Sequence, residues 1–432
     1  MTEAEVLELA ITAHREGNVE DAKKLYVAVL TKNPENPDAL HYLGLLIYQA
    51  GEREEGASLI EKSLSIAPEQ PQALNNLGNI YRLLGEDDDA MKAYWAAVKI
   101  APDHANAWAN MAVVHRNRDQ TDLAENVLTI ALTFEPRSFA ARHTLAMTKT
   151  DKKDLEGAYR LFKELAKDSP EKGSYASLYS NILNYFGKDD EALDLLLDWQ
   201  KRDPGNPIVE HHVDAQRGAR SDGASNDYIF NTFEQFAETF EGVLKGLHYQ
   251  APDLIAEIVK SRAGSDRFES GIDIGCGTGL LGPLIKDHVG ALTGIDLSPN
   301  MLARAQRKKV YDDLVEGEII DYLNDGPAAR FDLATAADVF CYFGDMRPAF
   351  QAIAHSVKPK GTVIATFEAL NDETAEDGFK LTQTGRYTHT EHYLRAAAQD
   401  AGFVQPTFER VELRQQFENM VEGILLTAVR GD

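Results

Sequence analysis

Residues 68–102 read PEQPQALNNLGNIYRLLGEDDDAMKAYWAAVKIAP, proline to proline across 34 positions. The same interval separates Pro34, Pro68, Pro102, Pro136, Pro170 and Pro204. Within the intervals small residues recur at one phase, Ala10, Gly44, Gly78, Ala112, Ala146 and Ser180, and at a second, Ala22, Gly56, Ala90, Ala124, Ala158 and Ala192. Four residues beyond the second phase stand Tyr26, Ile60, Tyr94, Leu128, Phe162 and Leu196. Helices approach closely only where side chains are small. Each interval therefore predicts an antiparallel helix pair whose larger residues are buried against neighbouring pairs, and residues 1–204 form a register of such units.

This period and phasing resemble the tetratricopeptide repeats, six of them over residues 1–204. Residues 205–226 read as a capping helix and linker, with GARSDGASND around Gly218 and Gly223 as a hinge, and 227–432 as a second domain. Solenoids of this kind hold extended peptides on the concave face of their first helices. Asn76 and Asn110 share one phase there, and Arg82 and Arg116 another, so a protein or peptide partner is expected in that groove. ALNNLGNIY also resembles the repeats of protein O-linked glycosyltransferases, where an asparagine ladder grips backbone, but Tyr42, Thr144 and Leu178 shorten the ladder here. A solvated groove without a ligand is the competing reading.

At 432 residues the chain exceeds one hydrophobic core. Its net charge of -25 opposes general affinity for phosphate backbones, so no nucleic-acid partner is expected. The basic cluster Arg304, Arg307, Lys308 and Lys309 falls where cations complement a helix end and reads as a solvated face. No stretch approaches the ~18 apolar residues of a membrane span, and the acidic start lacks a secretory pattern, so a cytoplasmic protein is expected. Two cysteines, Cys276 and Cys341, suit neither a disulfide scaffold nor a zinc site.

Past the hinge the pattern changes. Short apolar runs, GIDIG (271–275), ALTGIDL (291–297), FDLATAADV (331–339) and GTVIATFE (361–368), alternate with helical stretches, which predicts a parallel sheet covered by helices on both faces. Two β-rich runs, 403–414 and 421–429, predict a terminal antiparallel pair. Asp273-Ile274-Gly275-Cys276-Gly277-Thr278-Gly279 lies at a strand-to-helix turn, where glycines let backbone approach a ligand. Gly277, Gly279 and Gly282 also spell a dinucleotide fingerprint with Asp296 as its ribose acid, so the loop alone leaves the cofactor open.

The wider segment, from about Tyr228 onward, resembles the class I S-adenosylmethionine-dependent methyltransferases, a Rossmann-like α/β fold. The pairing of repeats with AADVFCYFGDM, GRYTHTEHYLRAAAQDAGF and VEGILLTAVR resembles the bacterial tetratricopeptide-containing members more narrowly. The resemblance implies S-adenosylmethionine as cofactor. It assigns Asp273, Gly275, Cys276, Gly277 and Gly279 to the first motif, Asp296 with Leu297 and Met301 to the ribose side, Glu318 and Ile319 to the adenine, and Ala337 to the fourth-strand wall. Asp321 competes with Glu318. NDYIFNTFEQFAETFEGVL resembles a helical lead-in folded over the cofactor, which would make Tyr228 and the phenylalanines 230, 233, 236 and 240 part of a lid; such a row also builds plain core.

Methyl transfer from a sulfonium is an in-line displacement that needs positioning, and a base only if the acceptor must lose a proton. His389 and Asp338 are the catalytic candidates; His392 and Glu368 are expected near them. His389 and His392 also suit a helix-start cap or a solvent-facing ring, and Asp338 also suits hydrogen bonding to loop amides. The pair His211 and His212 lacks a ligand-spaced partner and reads as structural, so no metal is expected. The expected activity is methyl transfer to an unidentified acceptor recruited by the repeats. A small-molecule methyltransferase whose repeats serve assembly, and a non-catalytic repeat scaffold, are the alternatives.

Overall fold

A computed structural model describes residues 1–171, 173–237, 240–264, 266–372 and 377–432; Glu238 and Thr239 of the lead-in lie outside them. The chain divides into two compact units, Met1–Ser169 and Pro170–Asp432.

The first unit is five helix pairs: Glu3–Arg15 with Val19–Lys32, Pro37–Gln49 with Arg53–Ile66, Pro71–Leu83 with Asp87–Ile100, Ala105–Asn117 with Thr121–Phe134, and Phe139–Asp151 with Leu155–Asp168. The recurring prolines fall just after the second helix of a pair, where a ring that cannot continue a helix ends it. The small phases mark the crossings within a pair. A Cβ on Gly44 would stand 2.8 Å from the Gly56 carbonyl oxygen, and one on Gly78 would stand 2.5 Å from the Tyr94 ring. Tyr26, Ile60, Tyr94 and Leu128 are fully buried, as their phase predicts.

The groove residues lie differently from expectation. Asn76 is buried, its Nδ2 2.9 Å from His41 Nε2, and its carbonyl accepts from Gln72 at 3.2 Å. Asn110 Nδ2 donates to Asn75 Oδ1 at 2.9 Å, and Arg116 donates to Asp151 at 2.6 Å. Arg82 is half-buried and bonded to Tyr94. These side chains are committed within and between repeats because a helix stack with small-residue crossings has polar gaps to satisfy.

The second unit opens with a sixth pair, Ala176–Tyr185 and Asp189–Arg202, and the helix Pro207–Arg217. Among the described residues its nine strands are β1 (Phe268–Ile274), β2 (Val289–Asp296), β3 (Asp313–Glu316), β4 (Phe331–Ala336), β5 (Val357–Ala369), β6 (Phe379–Leu381), β7 (Tyr387–His389), β8 (Phe403–Gln416) and β9 (Asn419–Arg430). The order β3-β2-β1-β4-β5 is parallel throughout; β9 joins β5 antiparallel and β8 joins β9. This is the expected parallel sheet with a terminal antiparallel hairpin. The β6–β7 hairpin, paired to the last residues of β5, was not expected from the pattern: three-residue strands carry too short an alternation to read.

β1 and β4 are neighbours, paired up to Ile274 and Ala336, so the chain reverses its direction of sheet growth between them. Crevices beyond the carboxyl ends of strands at such a switch point are where open α/β sheets bind ligands. The stretch read as a hinge is instead fastened to the loop after β4. Ala224 N–H donates to Tyr342 O at 2.9 Å, while the N–H groups of Gly344 and Asp345 donate to Asp222 O at 2.9 and 2.8 Å.

Candidate active site

At the switch point lies a cavity of ≈ 300 Å³. One wall comprises Gly275 and Gly277 after β1, Asp296, Leu297 and Met301 after β2, Glu318 and Ile319 after β3, and Ala337 after β4. Gly275 and Gly277 have φ of 61° and 54°. A side chain is strained in that region, and a Cβ on Gly275 would also meet Val339 at 2.5 Å. Asp296 accepts the Gly277 N–H on one carboxylate oxygen and the Ser298 N–H on the other, both at 2.9 Å. Each oxygen keeps a further lone pair, so the fixed carboxylate suits two vicinal hydroxyls, the group a ribose offers. Burial pushes its pKa up against the pull of those N–H groups. Glu318 lines the cavity, with one oxygen capping the helix Ile319–Asp325 through Asp321 N–H at 2.7 Å; Asp321 itself is exposed and outside the cavity lining.

Four expected cofactor residues do not line the cavity. Asp273 is buried beneath the loop, accepting from the Tyr311 hydroxyl at 2.7 Å and from Thr335 at 3.4 Å, and burial pushes its pKa up to about 7. It supports the turn from below. Cys276 and Gly279 face the packing around Gly294 and Tyr311. Tyr228 stacks on His211 with ring centroids 3.8 Å apart, and His211 bonds Gly385 O at 2.8 Å. That cluster, with His212 edge-on to Tyr228, fastens the helix Pro207–Arg217 to the helix Asn226–Phe236, so the histidines are structural.

Phe233, Phe236 and Phe240 do line the cavity, while Phe230 is outside its lining. Glu234 and Glu241 hold this cover against the residues after β2: Glu234 accepts from Ser298 Oγ at 2.6 Å and Asn300 N–H at 3.1 Å, and Glu241 pairs with Lys308 at 2.9 Å. Lys308 thus leaves the solvated face expected of its cluster.

The remaining wall carries both guanidiniums of the lining. Asp338, at the strained φ of 58°, has its N–H fixed by Thr366 Oγ1 at 2.9 Å. Its carboxylate meets Arg414 at 3.2 Å and Arg386 at 3.0 Å, and Glu368 meets Arg386 at 3.2 Å and Arg414 at 2.5 Å. Burial opposes ionisation of Asp338, but the guanidiniums of Arg414 and Arg386 hold its pKa below the ordinary value. Asp338, Cys341 and Glu368 converge closely enough to suggest metal ligands, yet the two guanidiniums occupy their oxygens. Asp338 lines the cavity as expected, whereas Glu368 stands behind it.

His389 is absent from the lining. It is fully buried in β7, Nε2 against Gly344 O at 3.0 Å, and burial pushes its pKa down to about 4. A ring so enclosed cannot reach an acceptor. His392 is exposed on the next helix. The sequence reading missed Arg386 and Arg414; the signal was that two acids ending neighbouring strands require buried cations.

Residues 244–405 match a methyltransferase-domain family, and residues 13–75 and 71–104 match tetratricopeptide repeats. The dTDP-3-amino-3,6-dideoxy-alpha-D-glucopyranose N,N-dimethyltransferase of Streptomyces fradiae is 29% identical over 33% of this chain and 55% of its own length. Ubiquinone biosynthesis O-methyltransferase of Cronobacter sakazakii is 29% identical over 38% of this chain and 64% of its own. Malonyl-(acyl-carrier protein) O-methyltransferase of Pseudescherichia vulneris is 31% identical over 28% and 47%. The chain thus spans about half to two thirds of the length of these curated relatives. Among the described residues no helix is long and apolar enough to cross a membrane. With repeats matched over residues 13–104 and the methyltransferase family over 244–405, on the sheet and its motif loops, this chain joins tetratricopeptide repeats to a class I methyltransferase domain.

Proposed function

We propose that the cavity binds S-adenosylmethionine and that the domain transfers its methyl group to an acceptor at the wall formed by Asp338, Arg386 and Arg414. The observation that carries this is the Asp296 carboxylate, fixed by two backbone N–H groups on the cavity wall with lone pairs to spare for a ribose. When bound, the cofactor supplies an electrophilic methyl on a sulfonium. The chain's own residues do the rest: Gly275 and Gly277 admit the ligand closely, Phe233, Phe236 and Phe240 exclude water, and Glu234 and Glu241 hold the cover down. A dinucleotide fits less well, because the helix after the glycines, Gly282–Ile285, is a single turn with few peptide dipoles to receive a pyrophosphate. Calorimetry of the full chain against S-adenosylhomocysteine and NAD tests the reading; NAD binding without S-adenosylhomocysteine binding overturns it.

The repeats recruit a protein or a carrier-borne acceptor in this reading, supported by the carrier-borne substrate in one relative's name. A second reading has a specific observation in its favour. Asn76, Asn110 and Arg116 are engaged inside the repeat unit, which removes the expected peptide grip and suits repeats that serve assembly around a small-molecule enzyme.

A further inference from the structure

The acceptor wall holds no ready proton acceptor. Among the described residues, the cavity lining contains no histidine, lysine or cysteine. Of its three carboxylates only Asp338 stands on this wall, and it is held by two guanidiniums; Asp296 and Glu318 belong to the wall of the motif loops. Tyr249 donates to Ala337 O at 3.3 Å, and burial pushes its pKa well above the ordinary phenol value, as it does for Tyr342. An alcohol, phenol or ammonium acceptor must shed a proton to become a nucleophile. An acceptor that arrives as an anion need not.

The same wall is built to hold an anion. Arg386 spends one nitrogen, Nη1, on Asp338, Glu368 and Cys341 Sγ, at 3.0, 3.2 and 3.4 Å. Its Nε and Nη2 carry three further N–H donors, and its side chain remains 24% accessible on the cavity wall with the Tyr342 ring beneath it at 5.5 Å. Asp338, Glu368, Arg386 and Arg414 sum to zero charge, so this wall sets no net negative charge against an arriving anion. The rest of this space is apolar, with Ile229, Phe233, Leu247, Tyr342 and Phe343 around it.

We propose, resting on the methyltransferase reading above, that the acceptor is a carboxylate on an apolar body, gripped by the free edge of the Arg386 guanidinium and converted to a methyl ester. A carboxylate oxygen lone pair forms the O–CH₃ bond as the CH₃–S bond breaks, and that bond's electron pair stays on sulfur. The sulfonium's positive charge and the carboxylate's negative charge cancel, giving a thioether and an ester with no proton moved. Such a transfer needs no base on this wall.

Octanoate, octanol and octylamine are matched probes, titrated into the full chain by calorimetry with and without S-adenosylhomocysteine. Octanoate should bind roughly tenfold or more tightly than the other two, the worth of a charge-assisted hydrogen-bond pair. Arg386→Gln should erase that preference while leaving S-adenosylhomocysteine affinity unchanged, and Arg386→Lys, which keeps the charge but not the fork, should retain part of it. With active protein, the methylated product should release methanol under mild base, as an ester does. Equal or tighter binding of octanol or octylamine, a base-stable product, or loss of S-adenosylhomocysteine affinity in Arg386→Gln would each overturn the proposal. Failure of wild-type protein to bind S-adenosylhomocysteine would instead sink the cofactor reading, and the probe titrations distinguish the two.

Discussion

The two compact units handle polar groups in opposite ways. In the repeat unit, cations pair within a repeat or across to its neighbour with carboxylates that stay partly open to water: Arg116 with Asp151, Arg142 with Asp168, Lys149 with Glu125 and Asp154. In the sheet unit the corresponding investment is a buried tetrad, Asp338, Glu368, Arg386 and Arg414, drawn from strand ends and loops as many as 76 residues apart. The difference teaches that local packing can leave charge near water, whereas a site assembled by sheet topology must bring charge indoors and balance it there.

The sharpest way to break this comparison is Arg414→Met, which leaves Arg386 alone against two enclosed carboxylates, one negative charge uncompensated. We expect a loss of about 3–5 kcal/mol in the sheet unit. Urea unfolding reads it out, with Trp199 reporting that unit and Trp95 and Trp108 the repeats. A loss below 1 kcal/mol would mean the tetrad is no more demanding than a surface pair.

Acid should follow in size. His389 is neutral in the fold, its pKa pushed down to about 4 from 6.5. The unfolded chain takes up a proton as pH falls through 6.5 and the folded chain does not until about 4, so stability is full above 6.5 and lost across that window, by about 3 kcal/mol for this one group. His389→Gln should flatten the acid limb of a melting-temperature profile in the sheet unit. In the repeats His41, likewise pushed down to about 4, should produce a similar limb that His389→Gln leaves untouched.

Asp296→Ala should cost about 1.5–3 kcal/mol of S-adenosylhomocysteine affinity with little change in unfolding, since its hydrogen bonds serve the ligand and loop. Unchanged affinity by calorimetry would remove Asp296 from the cofactor wall. The smallest effect is expected from Asp151→Asn in the repeats, about 1 kcal/mol or less, because this carboxylate is a third exposed and the replacing amide oxygen can still accept from Arg116. A larger loss in the Trp95 and Trp108 transition would show that repeat ion pairs are as demanding as the tetrad.

Much of the fold was legible along the chain because its signals are short-range. The small residues at Gly44, Gly56 and Gly78 sit where helices cross, and the motif from Asp273 to Gly279 forms the turn its glycines require. The acids after the second and third strands, Asp296 and Glu318, reached the cavity because a parallel sheet delivers every strand end to one edge. What periodicity could not carry was which side of a turn a residue takes. Asp273 lies under the loop and not over it, Tyr228 turns to the histidines, and Asn76 faces His41. His389 drew attention as a titratable residue in a promising loop, yet the β6–β7 hairpin encloses it and turns Arg386, three residues earlier, toward the cavity. Such choices depend on packing partners distant in sequence, and the need to neutralise Asp338 and Glu368 arises only once the sheet has brought them side by side in a low-dielectric interior.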